Sequence, residues 1–307
     1  MWSKIISALG LGALLLAGCT CGPARTSTGG PARAAHAERI APASIAGPAS
    51  PSLPIGQPRD QARRDGAAEL PGGEQPAAAP VRQGTEWTAG EDMKPADRVR
   101  SAQTRLGTVQ ELFREGGVAF PPAELLLRAF KQERQVEVWA SSAKGGRMAR
   151  VATYAVCAMS GDVGPKRAEG DRQVPEGFYN VKYFWPASSF HISANVGYPN
   201  ALDRARGGAR PGGDIMIHGG CASIGCIAIT DERIEELYVM SSPVLDRGER
   251  VHVHIFPGRD MAVLIDNPEH ARHKEFWVNL KQGLDFFETE RRAPAVGSDW
   301  HGRYTFR

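Results

Sequence analysis

The chain has 307 residues, a formal net charge of +3 at pH 7, 42% hydrophobic residues and 23% charged residues. That length accommodates one large domain or two ordinary ones. So small a charge excess lacks the dense basic clusters of a nucleic-acid binder, and no nucleic acid is expected as a partner.

The N-terminus begins Met1-Trp2-Ser3-Lys4, continues as an apolar run from Ile5 to Ala17 and closes on Gly18-Cys19. A charged start, a short hydrophobic stretch and small residues make an export signal over residues 1–18. At about 1.5 Å rise per residue the run is short for a ~30 Å hydrocarbon core, which disfavours a retained transmembrane helix. Leu16-Ala17-Gly18-Cys19 resembles the bacterial lipobox. That resemblance implies acylation of Cys19 and a lipid anchor in a bacterial cell envelope, with each buried CH₂ contributing about 0.8 kcal/mol. Thr20, where Asp is absent, points to the outer membrane and a periplasmic protein. The rival is an ordinary signal peptide cleaved elsewhere.

Residues 19–97 are dominated by Ala, Pro, Gly, Ser, Gln and Arg, with Trp87 the one aromatic residue, and read as a disordered tether. At roughly 5 to 6 Å times the square root of residue number, such a tether reaches several nanometres. Residues 98–122 predict a leading helix: Ala102, Leu106, Val109, Leu112 and Phe113 share one side, and Gly116-Gly117 stops it.

A compact, mainly β unit is expected over residues 123–258. Val136 to Trp139 alternates, and Gln132 to Gln135 turns the chain between two strands of a hairpin. Met148 to Met159 reads as one buried strand, Phe178 to Tyr183 as another, Asp214 to His218 as an apolar strand and Arg250 to Ile255 as an alternating one. Thr230 predicts a helix cap, with Asp231 and Glu232 in the first turn and Ile234, Leu237 and Tyr238 buried. Residues 259–307 form a helical C-terminal extension, with Phe276, Leu280, Leu284 and Phe287 on one stripe.

The chemistry concentrates in His218-Gly219-Gly220-Cys221-Ala222-Ser223-Ile224-Gly225-Cys226. A free cysteine titrates near 8.5, so an imidazole or a helix N-terminus is needed to supply thiolate, and the segment offers both. Small residues let the backbone turn tightly. The amides of Gly225 and Cys226 are candidate donors to an oxyanion.

This segment resembles the L,D-transpeptidase catalytic domain family (YkuD-like), in its YafK-like branch, where a strand ending in His-Gly leads to Ser-x-Gly-Cys. The resemblance extends through Gly164-Pro165-Lys166, Glu169-Gly170-Asp171, Pro175-Glu176-Gly177-Phe178-Tyr179 and Gly197-Tyr198-Pro199-Asn200. It implies a β-sandwich with short helices, Cys226 as nucleophile, His218 as general base and acid, and Gly219, Ser223 and Gly225 as supporting motif. A backbone carbonyl is implied as the group orienting His218. The implied substrate is a peptidoglycan stem peptide, attacked to give a Cys226 thioester that an amine resolves by cross-linking or protein attachment. The branch includes amidases that cleave protein-to-wall links, so hydrolysis and a wall-linked protein partner are alternatives. A non-catalytic wall-binding lipoprotein is the third. Many relatives carry a second histidine where this chain has Ile224.

Rival readings attach to the same residues. His218, Cys221 and Cys226 are three zinc-type ligands, with His191 a distant fourth; the paired Cys-x-x-Cys knuckle is missing, so no metal and no cofactor are expected. A Cys221 to Cys226 disulfide is conceivable in an oxidising envelope. Cys157 reads as a buried structural thiol, His252 and His254 as solvated, His191 as a loop residue, and Lys166, Glu169 and Asp171 as a charged loop near the cleft.

Overall fold

A computed structural model of the protein describes residues 93–307. The export signal, Cys19 and all but the last few residues of the tether lie outside the described residues. Among those described, no helix is long and apolar enough to cross a membrane.

Two short helices open the described chain, α1 (Pro95–Thr104) with proline at its N-terminus and α2 (Leu106–Glu115). The single helix expected here is broken at Arg105, whose side chain reaches across to Glu235 at 2.8 Å. The break turns Leu106 out to solvent, while Ala102, Val109, Leu112 and Phe113 keep the predicted buried stripe. Gly117, at φ +66°, provides the left-handed turn that stops α2.

The first sheet contains β1 (Glu124–Phe130), β2 (Gln135–Ser141), β3 (Ala149–Ala155), β5 (Gly177–Asn180) and β10 (Val251–Phe256), ordered β3-β2-β1-β10-β5. β1 and β2 are the expected hairpin, Glu124 pairing with Ser141 and Phe130 with Gln135. β1 and β10 run parallel; the other neighbours are antiparallel. The second sheet contains β4 (Ala158–Met159), β6 (Phe184–Ser188), β7 (His191–Asn195), β8 (Met216–His218) and β9 (Ile227–Ala228), ordered β4-β9-β8-β7-β6, with β8 and β9 parallel. Leu125, Leu127, Val138 and Val253 of the first sheet share one buried cluster with Ile192, Ala194, Ile217 and Ile227 of the second, and this makes the sandwich.

The stretch Met148 to Met159 is two strands, one in each sheet. The crossing is visible in the backbone: Val156 N–H donates to Arg134 in the first sheet, and Cys157 N–H donates to Ala228 in the second. The chain crosses again after β5, where Val181 N–H donates to Val251 and Lys182 N–H to Asn195. A buried apolar run carries no mark of where it changes sheet, which is why the sequence reads as one strand.

Helix α4 (Asp231–Asp246) closes the sandwich with Ile234 and Leu237 fully buried, while Tyr238, expected with them, is half-buried at the cluster's edge. Thr230 is not the expected side-chain cap; it stands at φ +74°, and its hydroxyl donates to Glu232 at 2.9 Å. Beyond β10 come α5 (Met261–Asp266), a 3₁₀ turn (Pro268–His273) and α6 (Lys274–Glu290). Phe276, Leu280, Leu284 and Phe287 are all buried, as their stripe predicts. They cover the outer face of the first sheet, so β1 is buried on both faces and its alternation is lost.

The extension also holds a hairpin, β11 (Val296–Ser298) with β12 (Tyr304–Phe306), pinned to α6 by reciprocal hydrogen bonds between Asn279 and the Tyr304 backbone at 2.8 and 2.9 Å. Its second tie is fully buried. Glu176 accepts from Lys131 Nζ at 3.1 Å, from Gly164 N–H at 2.6 Å and from the Trp277 indole at 2.7 Å.

Candidate active site

The parallel pair β8 and β9 positions the two motif residues. Ile217 lies beside Ile227 and His218 beside Ala228, so extending the register one residue sets Cys226 beside Met216. Alternation puts Met216, His218 and Cys226 on one face of the sheet, while Ile217 and Ile227 turn into the core. The Met216 N–H points at Cys226 Sγ at 3.4 Å, and the Asp214 carbonyl oxygen lies 3.8 Å from the sulfur.

His218 is 2% exposed. Its Nδ1 lies 2.6 Å from the Gly219 carbonyl oxygen. A carbonyl only accepts, so Nδ1 carries the proton and Nε2 is the free base. The Phe190 ring lies against the imidazole, centroids 4.6 Å apart. Burial holds the imidazole below its ordinary value, opposed by the Gly219 hydrogen bond and the Asp231 charge. Burial likewise pushes the Cys226 thiol up, opposed by the Met216 N–H. Burial thus disfavours both the imidazolium and the thiolate at rest.

The expected helix N-terminus does not supply thiolate here. Between Cys226 and the start of α4 at Asp231 stands the strand β9, so the helix end does not follow the cysteine directly. Cys221 pairs with neither rival partner: it is bridged to Cys157, with Cα atoms 5.5 Å apart. Cys157 is therefore no free thiol. Among the described residues Cys226 is the free cysteine, and no cluster of metal-binding side chains is present.

The candidate oxyanion amides both have partners at rest. Gly225 N–H donates to Ser160 Oγ at 2.6 Å, and Cys226 N–H donates to Ser223 Oγ at 3.0 Å, whose hydroxyl donates back to the Cys226 carbonyl at 2.8 Å. Ser223 thus closes the turn on itself. Gly225 stands at φ +88°, where a side chain is strained. Gly219 has an ordinary φ but no room: an added Cβ would meet the Asp231 carboxylate, His191 and the Phe190 carbonyl.

A cleft of ≈ 460 Å³ opens beside Cys226, lined by Lys166, Glu169, Arg172, Asp214 and Ile224 among others. Ile224 is 77% exposed at its rim. Lys166 is buried and donates to Asp171 at 2.7 Å and to the Ala168 carbonyl at 2.8 Å. Asp171 also accepts from the amides of Arg167, Ala168 and Gln173, which makes it the organiser of the cleft wall. Burial pushes its carboxyl up, but Lys166 and the amides outweigh that and hold it below the ordinary range.

Three further histidines stand out in the sequence. His191 opens β7 and bonds Glu235 at 2.9 Å. His252 is half-buried, and His254, expected to be solvated, is 1% exposed beneath Phe178 because α6 and the β11–β12 hairpin cover that face.

Sequence reasoning missed Ser160, Phe190 and Arg98. Arg98 on α1 donates to three carbonyls of the turn that carries Phe190: Pro186 at 2.9 Å, His191 at 2.6 Å, and Ser188. All three act through contacts distant in sequence, and no local pattern marks them.

A family model described as the L,D-transpeptidase catalytic domain (YkuD) matches residues 127–253. The chain is 38% identical over 181 residues to the protein named "Putative L,D-transpeptidase YafK" of Escherichia coli (strain K12), covering 58% of this chain and 72% of that protein. Among solved structures, the helical cell shape determining protein Pgp2 from Campylobacter jejuni aligns at 17% identity and TM-score 0.37, covering 57% of this chain and 73% of that one. Bd1075 of Bdellovibrio bacteriovorus aligns at 17% identity and TM-score 0.32, covering 56% and 59%.

Proposed function

This chain belongs to the L,D-transpeptidase (YkuD) catalytic domain family, and on that premise we propose that it acts on peptidoglycan stem peptides, with Cys226 as nucleophile and His218 as general base. The observation that carries this reading is the buried His218, its tautomer fixed by the Gly219 carbonyl, on the same sheet face as Cys226.

Burial that disfavours both charges sets the order of events. His218 Nε2 takes the Cys226 proton as Sγ attacks the peptide carbonyl, so the thiolate forms with the bond and is not stored beforehand. The oxyanion takes the Gly225 and Cys226 amides once the hydroxyls of Ser160 and Ser223 swing aside. Collapse breaks the peptide C–N bond, His218 returns the proton to the departing amine, and a thioester remains on Cys226. An incoming amine, deprotonated by His218, then gives a cross-link or a protein attachment; water gives hydrolysis.

Residues 98–122 and 259–307 brace a catalytic unit over 123–258 in this reading. Acylation of Cys19 after removal of residues 1–18 anchors it to the outer membrane on the periplasmic side, with residues 19–97 as tether. The test is intact-mass analysis of wild type and Cys226→Ala after incubation with stem tetrapeptides and with protein-linked muropeptides. A transient acyl adduct on wild type alone is expected, and the released product separates transfer from hydrolysis. Absence of an adduct under reducing conditions, with both substrates unchanged, overturns the enzyme reading in favour of a wall-binding lipoprotein.

A further inference from the structure

We propose that Asp231 is a positioning residue for His218, coupled to it through the peptide group between Gly219 and Gly220. The inference rests on His218 acting as the base for Cys226.

Two hydrogen bonds meet on that peptide. Its carbonyl accepts from His218 Nδ1 at 2.6 Å, and its N–H, that of Gly220, donates to Asp231 Oδ1 at 2.6 Å. Carbonyl and N–H belong to one planar, conjugated amide and point to opposite sides of it. A carboxylate drawing on the N–H polarises the amide and makes its oxygen a stronger acceptor, because hydrogen bonds in series reinforce one another in a low-dielectric interior. When His218 takes the thiol proton, the imidazolium meets a carbonyl already polarised by a negative charge. The same two bonds fix the tilt of the peptide plane, and with it the ring.

The local backbone is organised around this carboxylate. Gly219 is bare where any Cβ would run into Asp231 Oδ1. Gly220 takes φ +63°, a left-handed conformation that favours glycine. Thr230, immediately before Asp231, holds φ +74°, a conformation a β-branched residue keeps only when its surroundings impose it. Its hydroxyl turns to Glu232 and leaves the Gly220 amide to Asp231.

The groups facing His218 are few. α4 contributes Asp231, and β7 contributes His191, which lies against Gly219 and is bound to Glu235, itself bound to Arg105. The β6–β7 turn contributes the uncharged Phe190 ring. The nucleophile turn contributes Cys226 on the same sheet face. Of these, Asp231 is the charge that opposes burial at the imidazole.

The test uses the full chain as Asp231→Asn, Asp231→Ala and Glu232→Gln, with two readouts: the His218 titration midpoint by NMR and the rate of acyl-adduct formation on Cys226 with a stem tetrapeptide. Asparagine keeps an acceptor for the Gly220 N–H and removes only the charge. Asp231→Asn is expected to lower the His218 midpoint and slow acylation about tenfold or more, the scale of outer partners that orient an active histidine. Asp231→Ala should be slower still. Glu232→Gln removes an equal first-turn charge while keeping an acceptor for the Thr230 hydroxyl, and should match wild type. Wild-type midpoint and rate in a folded Asp231→Asn overturn the proposal, as does an equal fall in Glu232→Gln, which would reduce the effect to the helix end. A wild type that forms no adduct while Asp231→Asn still lowers the midpoint supports the coupling and overturns the Cys226 reading instead.

Discussion

Loss of Glu176 should destabilise the fold strongly. Lys131 and Glu176 are both essentially without solvent contact, at 1% and 0% side-chain exposure. Replacing Glu176 with alanine strands the Lys131 ammonium and removes the acceptor of the Gly164 amide and the Trp277 indole. Breaking a buried ion pair costs about 3 to 5 kcal/mol, and each stranded donor adds about 1 to 3 kcal/mol before relaxation. Lys131 retains the Gly164 and Val174 carbonyls at 2.6 and 3.0 Å, which softens the first term. A loss of about 4 kcal/mol or more remains, or a Tm lower by roughly 8 to 16 °C for a domain of this size. Urea unfolding followed by tryptophan emission measures it, Trp277 being a reporter at the site. The double variant Lys131→Met/Glu176→Leu removes both charges and should unfold at higher urea than Glu176→Ala. A single variant within about 1 kcal/mol of wild type, the low end for one stranded donor, or a double variant worse than the single, would refute the reasoning.

Three further expectations concern other parts of the structure. Burial raises Asp203, in the capping box of α3 (Ala201–Arg206), from 3.8 to about 6. A raised folded value means stability present below 3.8 and lost as pH rises through about 6, at most about 3 kcal/mol at 1.36 kcal/mol per unit. Asp203→Asn keeps the cap acceptor and should flatten the stability profile between pH 4 and 7; parallel profiles would count against it. The Cys157–Cys221 bridge closes a loop of 64 residues, so Cys157→Ser/Cys221→Ser should lose about 4 kcal/mol by chain entropy, read in guanidinium melts. Gly219→Ala should cost about 1 to 3 kcal/mol of stability and sharply slow adduct formation on Cys226, since its Cβ meets Asp231, His191 and the Phe190 carbonyl at once; a wild-type rate would show that the turn yields freely.

The legible parts of the chain were those with a local signature. The β1–β2 hairpin followed from alternation around a polar turn, α6 from its apolar stripe, and the placing of His218 at a strand end near Cys226 from a motif nine residues long. What escaped was decided by partners far along the chain. The β3–β4 split depends on which sheet each backbone amide meets. Cys221 lies five residues from Cys226, yet bonds Cys157 across the crossing between sheets. Asp231 was visible as a first-turn acid, a reading that accounts for its sign and not for its contact with Gly220. The resting thiol of Cys226 was also hidden, because it depends on how deeply the strand pair is covered.

Arg98 alters where the functional unit should be cut. Its guanidinium holds the three carbonyls of the turn that carries Phe190, and Phe190 lies on His218. Residue 98 falls well before the segment 127–253 shared with the family. A truncation placed at that family boundary would keep every motif residue while removing the clamp on one wall of the histidine. Transplanting the motif into another scaffold would meet the same deficit, because the turn that carries Phe190 is held by a helix that the motif does not contain.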